Sequence, residues 1–173
     1  MTKKATRMEG RIGSAPARLV VDSPIGPLVL AGDGVALTHV WLPGSAALVG
    51  TEGPAPAPLH AAANQLDEYF AGTRRSFSVP LTPSGTDFQL SVWKALGEIP
   101  YAETMTYAEL ARRVGRPAAC RAVGQANGAN PLPIVYPCHR VVASGGKLGG
   151  YGGGLDMKRR LLALEGSPLA TAR

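Results

Sequence analysis

The sequence has 173 residues, of which 45% are hydrophobic and 17% are charged; this is the composition of a globular protein with room for one or two domains, and not of a disordered or fibrous one. It lacks the run of about 20 apolar residues that a membrane span needs and the apolar core of a secretory signal, so we expect a cytoplasmic protein with no membrane partner. The formal net charge of +6 divides into +4 over residues 1–18, −3 over 19–86 and +5 over 87–173. The positive C-terminal half favours a polyanionic partner, although a merely soluble basic surface has the same charge.

The N-terminal part has the pattern of a small α+β domain, with bounds 18–82. Residues 1–17 show no hydrophobic period and are expected to form a flexible basic tail. Apolar runs at 18–22, 28–31 and 35–42 are separated by turn residues and predict a β-meander. A helix is predicted over 59–70 and a further strand over 77–81. The predicted core face of the helix consists of Leu59, Ala62, Ala63, Leu66 and Phe70.

The C-terminal part, residues 83–173, reads as a set of short helices. Thr86 is predicted to cap a helix that ends at Gly97, and Thr106 a second helix over 107–114. Pro117 is expected at the first turn of a third helix, over 118–126. The second and third helices have the lengths and the turn of a helix-turn-helix, although any helical hairpin produces this pattern.

The third helix has an unusual composition for a DNA-reading helix. Small residues, among them Ala119, Ala122 and Gly124, surround one long basic side chain, Arg121. Such a helix offers few side chains for base edges in the major groove, but it can approach the minor groove closely. Packing against another helix explains the alanines equally well.

Cys138 is the strongest candidate for a reactive residue. It follows an approach rich in proline and is flanked by Pro137, His139 and Arg140. A lone cysteine is usually a packing residue, but cationic neighbours favour the nucleophilic thiolate, so we expect a lowered pKa for the Cys138 thiol. The other cysteine, Cys120, has no such neighbours, and two cysteines are too few for a disulfide framework or a zinc site.

The segment Pro137-Cys138-His139-Arg140-Val141 resembles the active-site signature of the O6-alkylguanine-DNA alkyltransferases. Four further motifs follow that family's order: residues 106–111 around Tyr107, 121–124, Asn130-Pro131, and 149–155 with Lys158 and Glu165 beyond it. The resemblance is strong over about residues 86–166. It implies an α+β fold, with an N-terminal ribonuclease-H-like α/β domain and a C-terminal all-helical domain that contains the helix-turn-helix.

The resemblance also implies a reaction. Cys138 would take a methyl or larger alkyl group from the O6 oxygen of a damaged guanine, leaving S-alkylcysteine and a repaired base. No cofactor and no metal would be needed, and the protein would act once. His139 would receive the thiol proton through a water and would be oriented by Glu165, while Asn130 would hold the turn that leads to the cysteine.

The implied partner is double-stranded DNA that contains O6-alkylguanine, bound through the minor groove by a monomer that could cluster side by side on DNA. The damaged base must be flipped out of the duplex. Arg121 would fill the vacated place, from a helix that Ala119, Ala122 and Gly124 allow to lie close to the DNA. The residues implied to bind the flipped base and its phosphate are Tyr107, Tyr136, Val141, Tyr151, Gly152 and Gly153.

Two departures from the family pattern concern the site. Tyr136 stands where the family usually has Ile or Val, and Asn127 stands where some relatives have a bulky apolar residue. Two alternatives are a catalytically silent DNA-binding module and a cysteine hydrolase. The presence of Cys138, His139 and Glu165 together opposes the first. Against the second, neighbouring residues of an extended chain point to opposite sides, which would separate His139 from the thiol.

Overall fold

The computed structural model describes residues 17–45 and 54–171. Three strands, β1 (Ala17–Val21), β2 (Leu28–Gly32) and β3 (Leu37–Trp41), form an antiparallel sheet in sequence order. The predicted β-meander is therefore confirmed. The side chain of Asp33 closes its second turn by accepting hydrogen bonds from two backbone N–H groups. Apart from Ala17, the predicted flexible tail lies outside the described residues.

Helix α1 (Ala57–Phe70) covers this sheet and begins two residues earlier than predicted. The prediction of its core face is wrong at the last turn, because Tyr69 is fully buried while Phe70 is partly exposed. Positions 59, 62, 66 and 69 repeat at alternating spacings of three and four, so they form one stripe along the helix, and residue 70 lies beside it.

The strand predicted over 77–81 does not form. Leu81 makes a single bridge to Leu37, and the preceding Pro80 has no N–H to donate to a ladder. The carbonyl of Pro80 accepts a hydrogen bond from the Leu37 N–H instead. The chain thus leaves the N-terminal sheet as an extended segment that runs toward the second half.

The helices of the second half are α2 (Asp87–Gly97), α3 (Tyr107–Arg113), α4 (Cys120–Gly128) and α5 (Leu155–Leu164). Both predicted caps are present, since Thr86 and Thr106 each form a capping box with the residue three positions later. The start predicted for α4 is wrong. Pro117 lies in a turn closed by the hydrogen bond from the Ala119 N–H to the Arg116 carbonyl, which is the usual place for proline in a β-turn.

The C-terminal half also contains a short parallel strand pair, so it is not entirely helical as predicted. β4 (Met105–Thr106) pairs with β5 (Val141–Val142). The two strands are far apart in sequence, and no local pattern marks segments of two residues. The pairing matters for the site, because it places the start of α3 beside the chain that directly follows Cys138.

Among the residues that the structure describes, two buried clusters form the interior. One is built from α2, α3 and α4, and includes a hydrogen bond from the Trp93 indole to the Ala126 carbonyl of 2.8 Å. The other joins the sheet and α1 to Leu132, Ile134 and Leu161 of the second half. The segment that leads to Cys138 is therefore packed between the two halves. Within the described ranges, no helix has both the length and the apolar character required to cross a membrane.

Candidate active site

The approach to Cys138, residues 130–136, is held by one side chain. The amide of Asn130 donates to the Tyr136 carbonyl at 2.8 Å and accepts from the Leu132 N–H at 3.0 Å. Ile134 in the same segment has a φ of +74°, a conformation that is strained for a β-branched residue. Asn130 thus ties both ends of a tight, buried turn just before the cysteine.

Cys138, His139 and Arg140 form one turn of 3-10 helix, and all three side chains are buried. Successive residues of such a helix are about 120° apart, so the expectation that Cys138 and His139 point to opposite sides of an extended chain is wrong. The Nδ1 atom of His139 nevertheless has no hydrogen-bond partner among the described residues, the Cys138 thiol included. The two groups are therefore not hydrogen-bonded to each other, as a hydrolase dyad would require.

The thiol of Cys138 borders a cavity of about 290 Å³. Its wall brings together α3, α4, the approach to Cys138 and the glycine-rich segment before α5. The lining residues are Leu42, Tyr107, Gly124, Asn127, Gly128, Asn130, Pro133, Cys138, Gly150, Tyr151 and Gly152. Asn127, one of the two departures from the family pattern, is thus part of the cavity wall. Leu42, from the end of the N-terminal sheet, is not predicted by any local pattern.

Three residues predicted to bind the substrate do not line this cavity. Tyr136 borders a separate cavity of about 540 Å³ together with Tyr101 and Arg140. Val141 is buried in β5. Gly153 packs so closely that a Cβ there would lie 2.6 Å from the Met157 sulfur. Each is one to three residues from a lining residue, but its side chain or backbone packs away from the cavity.

Helix α4 has two different faces. Val123, Ala126 and Asn127 are buried, whereas Arg121 and Ala122 are exposed and Ala119 at the N-cap is half-buried. Gly124 faces the ring of Tyr107, 3.8 Å from the position that a Cβ would take. Only part of the small-residue stripe therefore packs inside the protein. The exposed part of the helix carries Arg121 among small side chains, next to the cavity.

Glu165, at the C-terminal cap of α5, is the centre of a buried hydrogen-bond network. Its Oε1 accepts from Tyr69 at 2.6 Å, from His139 Nε2 at 2.7 Å and from Arg140 at 3.0 Å. Its Oε2 accepts from Arg140 at 2.9 Å and from the Ala102 N–H at 3.2 Å. Burial opposes ionisation, but these hydrogen bonds outweigh it and lower the pKa of Glu165 to about 2. The sequence predicts the contact with His139 but not those with Tyr69 and Arg140.

The thiol is not activated by its cationic neighbours in the way the sequence predicts. Burial raises the pKa of Cys138, and this outweighs the opposing effects of the Asn130 side chain and the Lys158 charge. Burial also lowers the pKa of His139, even though Glu165 acts in the other direction. In the free protein, the pair is therefore a neutral thiol beside a neutral imidazole.

Lys158 ties the glycine-rich wall of the cavity to the chain beyond Cys138. Its fully buried ammonium group donates to the carbonyls of Val141 at 2.6 Å, of Gly150 at 3.2 Å and of Leu148. Burial lowers its pKa to about 8. The sequence gives no signal for these contacts, because a lysine in an amphipathic helix is usually exposed. They become visible only when the fold brings the loop carbonyls to Lys158.

Replacing Glu165 by glutamine should lower the free energy of unfolding by about 3–5 kcal/mol near neutral pH, because Arg140 would keep a buried charge without its partner. The pKa of Glu165 falls on folding, from 4.5 to about 2. The stabilisation from its charge is therefore complete above about pH 4.5 and is lost as the pH falls toward 2. Urea unfolding of both proteins near pH 3, 5 and 7 should show the difference shrinking at the acidic end.

Glu98→Gln is the matched control for this prediction, because Glu98 pairs with Arg113 on the surface at 3.3 Å. Its effect should stay below about 1 kcal/mol. A difference between wild type and Glu165→Gln that stays constant from pH 3 to pH 7 would contradict the assigned network.

Two family profiles match the chain: "6-O-methylguanine DNA methyltransferase, ribonuclease-like domain" over residues 18–83, and "6-O-methylguanine DNA methyltransferase, DNA binding domain" over residues 87–167. The methylated-DNA–protein-cysteine methyltransferase of Methanosarcina acetivorans is 50% identical over 151 residues, which cover 86% of this chain and 97% of that protein. The protein of the same name from Mycobacterium tuberculosis H37Rv is 52% identical over 154 residues, covering 85% and 90%. The crystal structure of Mycobacterium tuberculosis OGT in complex with DNA superposes with a TM-score of 0.76 at 50% identity, covering 84% of this chain and 90% of that one.

Proposed function

Since the chain belongs to the 6-O-methylguanine DNA methyltransferase family, it is an enzyme that repairs DNA by transferring an alkyl group from the DNA to one of its own cysteines, and we propose that this cysteine is Cys138. The observation that carries the proposal is the buried Cys138 thiol at a cavity of about 290 Å³, with His139 and Glu165 beside it. The proposed substrate is O6-alkylguanine in double-stranded DNA.

The transfer is a displacement at the alkyl carbon. The sulfur of Cys138 attacks the carbon bound to O6 of the guanine, a carbon–sulfur bond forms, and the carbon–oxygen bond breaks. The electron pair of the broken carbon–oxygen bond stays on the guanine oxygen, and the guanine takes up a proton. A thioether is not an acyl intermediate that water can open, so the reaction runs once for each protein molecule.

His139 and Glu165 have the geometry to remove the thiol proton. Nε2 of His139 is held by Glu165 at 2.7 Å, which leaves Nδ1 as the free basic position; none of the described residues occupies it. A water between Nδ1 and the sulfur would carry the proton, and the Glu165 carboxylate would stabilise the imidazolium that forms. Because burial raises the pKa of Cys138, the thiolate forms mainly during the reaction. The resting thiol therefore reacts little with other electrophiles.

The cavity wall provides groups suited to a flipped guanine. Tyr107, Asn127 and the glycine-rich segment through Gly152 all line the cavity. Glycine allows backbone N–H groups to approach a base oxygen closely. Burial and the neighbouring Cys138 sulfur keep the pKa of Tyr151 well above its usual value, so its hydroxyl remains a donor.

The exposed face of α4 is the proposed contact with the minor groove. Ala122 and the half-buried Ala119 leave the backbone accessible, Gly124 adjoins the cavity, and Arg121 extends into solvent. A base cannot react inside the stack, so it must be flipped. Arg121 would take its place while the base enters the cavity.

Further proposals concern organisation. Residues 18–82 would form one domain, and residues 83–173 the DNA-binding and catalytic domain. The protein would act in the cytoplasm, where its DNA substrate lies, as a monomer in solution that could cluster along DNA.

The test is intact-mass measurement after mixing the protein with an excess of duplex oligonucleotide that contains one O6-methylguanine. We expect the mass of one methyl group to be added to each chain. An unmodified protein that still binds the duplex would favour the catalytically silent alternative, and repeated turnover without an adduct would contradict transfer to a cysteine.

A further inference from the structure

Tyr69 connects the N-terminal half directly to the proposed proton acceptor. It lies in the last turn of α1, is fully buried, and donates its hydroxyl to Glu165 Oε1 at 2.6 Å. The two residues are 96 positions apart in sequence. The contact therefore crosses from one half of the protein to the end of α5 in the other.

The oxygen that Tyr69 binds is the one that holds His139. Oε1 of Glu165 accepts from Tyr69 at 2.6 Å and from His139 Nε2 at 2.7 Å. With Arg140 at 3.0 Å as the third donor, the donors on this one carboxylate oxygen share its negative charge. The stronger the bond from the tyrosine, the less of that charge is available to stabilise an imidazolium.

Packing alone does not require a hydroxyl at position 69. The ring of Tyr69 lies among Phe70, Phe77 and Tyr101, with centroids 5.3, 5.8 and 6.2 Å away. A phenylalanine would fill the same space. Burial and the adjacent Glu165 raise the pKa of Tyr69 far above its usual value, so the hydroxyl is a neutral donor at every pH at which the protein works.

We propose that Tyr69 is a positioning residue for alkyl transfer: by holding and partly neutralising Glu165 Oε1, it sets the orientation and the proton affinity of His139. The inference rests on the proposed function, in which His139 receives the proton of Cys138. It makes a helix of the ribonuclease-like domain part of the proton-transfer network, through a residue that does not line the cavity of the reacting atoms.

The other charged and titratable groups around this network keep their protonation on the acidic side of pH 7, where the proposal is tested. Arg140 and Lys158 are cations that lower the pKa of His139, and Lys158 keeps most of its charge below its own pKa of about 8. Tyr101 and Tyr151 both have raised pKa values and stay neutral. Toward alkaline pH both Lys158 and Cys138 lose a proton, so the role of Tyr69 is tested on the acidic limb, which reports the protonation of His139.

The experiment is a pH profile of the single-turnover transfer rate for Tyr69→Phe. Duplex DNA with O6-methylguanine is the substrate, at protein concentrations that saturate the DNA at each pH. Loss of the tyrosine hydroxyl returns charge to Glu165 and makes His139 more basic. The acidic limb of the profile should therefore move upward by up to about one pH unit, as expected for one charge-assisted hydrogen bond.

Tyr101→Phe is the matched control, because the Tyr101 hydroxyl donates to the Leu164 carbonyl at 3.4 Å and not to Glu165. Its acidic limb should coincide with that of the wild type. An acidic limb in Tyr69→Phe that also coincides with the wild type, whatever the change in rate or stability, would overturn the proposal.

A second substitution tests the same contact by strengthening the hydrogen bond from position 69 instead of removing it. A fluorinated tyrosine at position 69 is a stronger donor, so it should move the acidic limb to lower pH; a shift upward or none would count against the inference. Wild-type protein assayed in parallel distinguishes a failure of the proposed function from a failure of the role proposed for Tyr69. A wild type without transfer contradicts the proposed function, whereas an active wild type with unshifted variants contradicts only the role of Tyr69.

Discussion

Cys138→Ser should lose all measurable alkyl transfer and still bind duplex DNA. A serine hydroxyl is far less acidic and less nucleophilic than a thiol, and His139, whose pKa is lowered by burial, is too weak a base to activate it. The side chain is nearly isosteric and lies away from the exposed face of α4, so the DNA contact should be unchanged. Gel-shift titration and intact-mass measurement on the same preparation separate binding from transfer.

Cys120 is the internal control for the assignment. It is an exposed free thiol at the start of α4, whereas Cys138 is buried at the cavity. With excess damaged DNA, peptide mapping of the wild type should find one alkyl group per chain, on the peptide that contains Cys138. Cys120→Ser should react like the wild type. An adduct on Cys120, or more than one equivalent transferred per chain, would refute the mechanism.

Arg121→Ala should slow repair in duplex DNA by about 10- to 100-fold, and reaction with free O6-benzylguanine by less than about threefold. Extruding a base costs a few kcal/mol of stacking and pairing, and each 1.4 kcal/mol corresponds to a factor of ten. Arg121 is exposed among the small side chains of α4, so it can reach the place in the stack that the flipped base leaves. The free base needs no extrusion, so the variant should keep its reactivity there.

Arg116→Ala is the matched control for this effect, because it removes an exposed positive charge from the turn just before the same helix. It should weaken DNA binding and make it less salt-dependent, but at saturating protein its rate on duplex DNA should equal that of the wild type. If Arg121→Ala lost the same factor in rate on the duplex and on the free base, a role of Arg121 in base extrusion would be contradicted.

Local sequence patterns determined most of the elements and the chemistry. Thr86 and Thr106 predict helix starts because a capping hydrogen bond is made within four residues. The alternating apolar runs predict the β-meander because each strand pairs with its neighbour in the chain. The cysteine signature and the four other motifs are each contiguous as well, so the family could be recognised, and Cys138 proposed as the nucleophile, before any coordinates.

Tertiary structure alone decided the properties that depend on contacts between distant segments. The two-residue β4–β5 pair, the place of Leu42 in the cavity wall and the bond from Tyr69 to Glu165 each join segments far apart in the chain. The thiol of Cys138 shows the physical reason most clearly. Its sequence neighbours favour a lowered pKa, but a pKa depends on the solvent and charges that surround the atom in space. The fold buries the Cys138 sulfur, and burial raises its pKa.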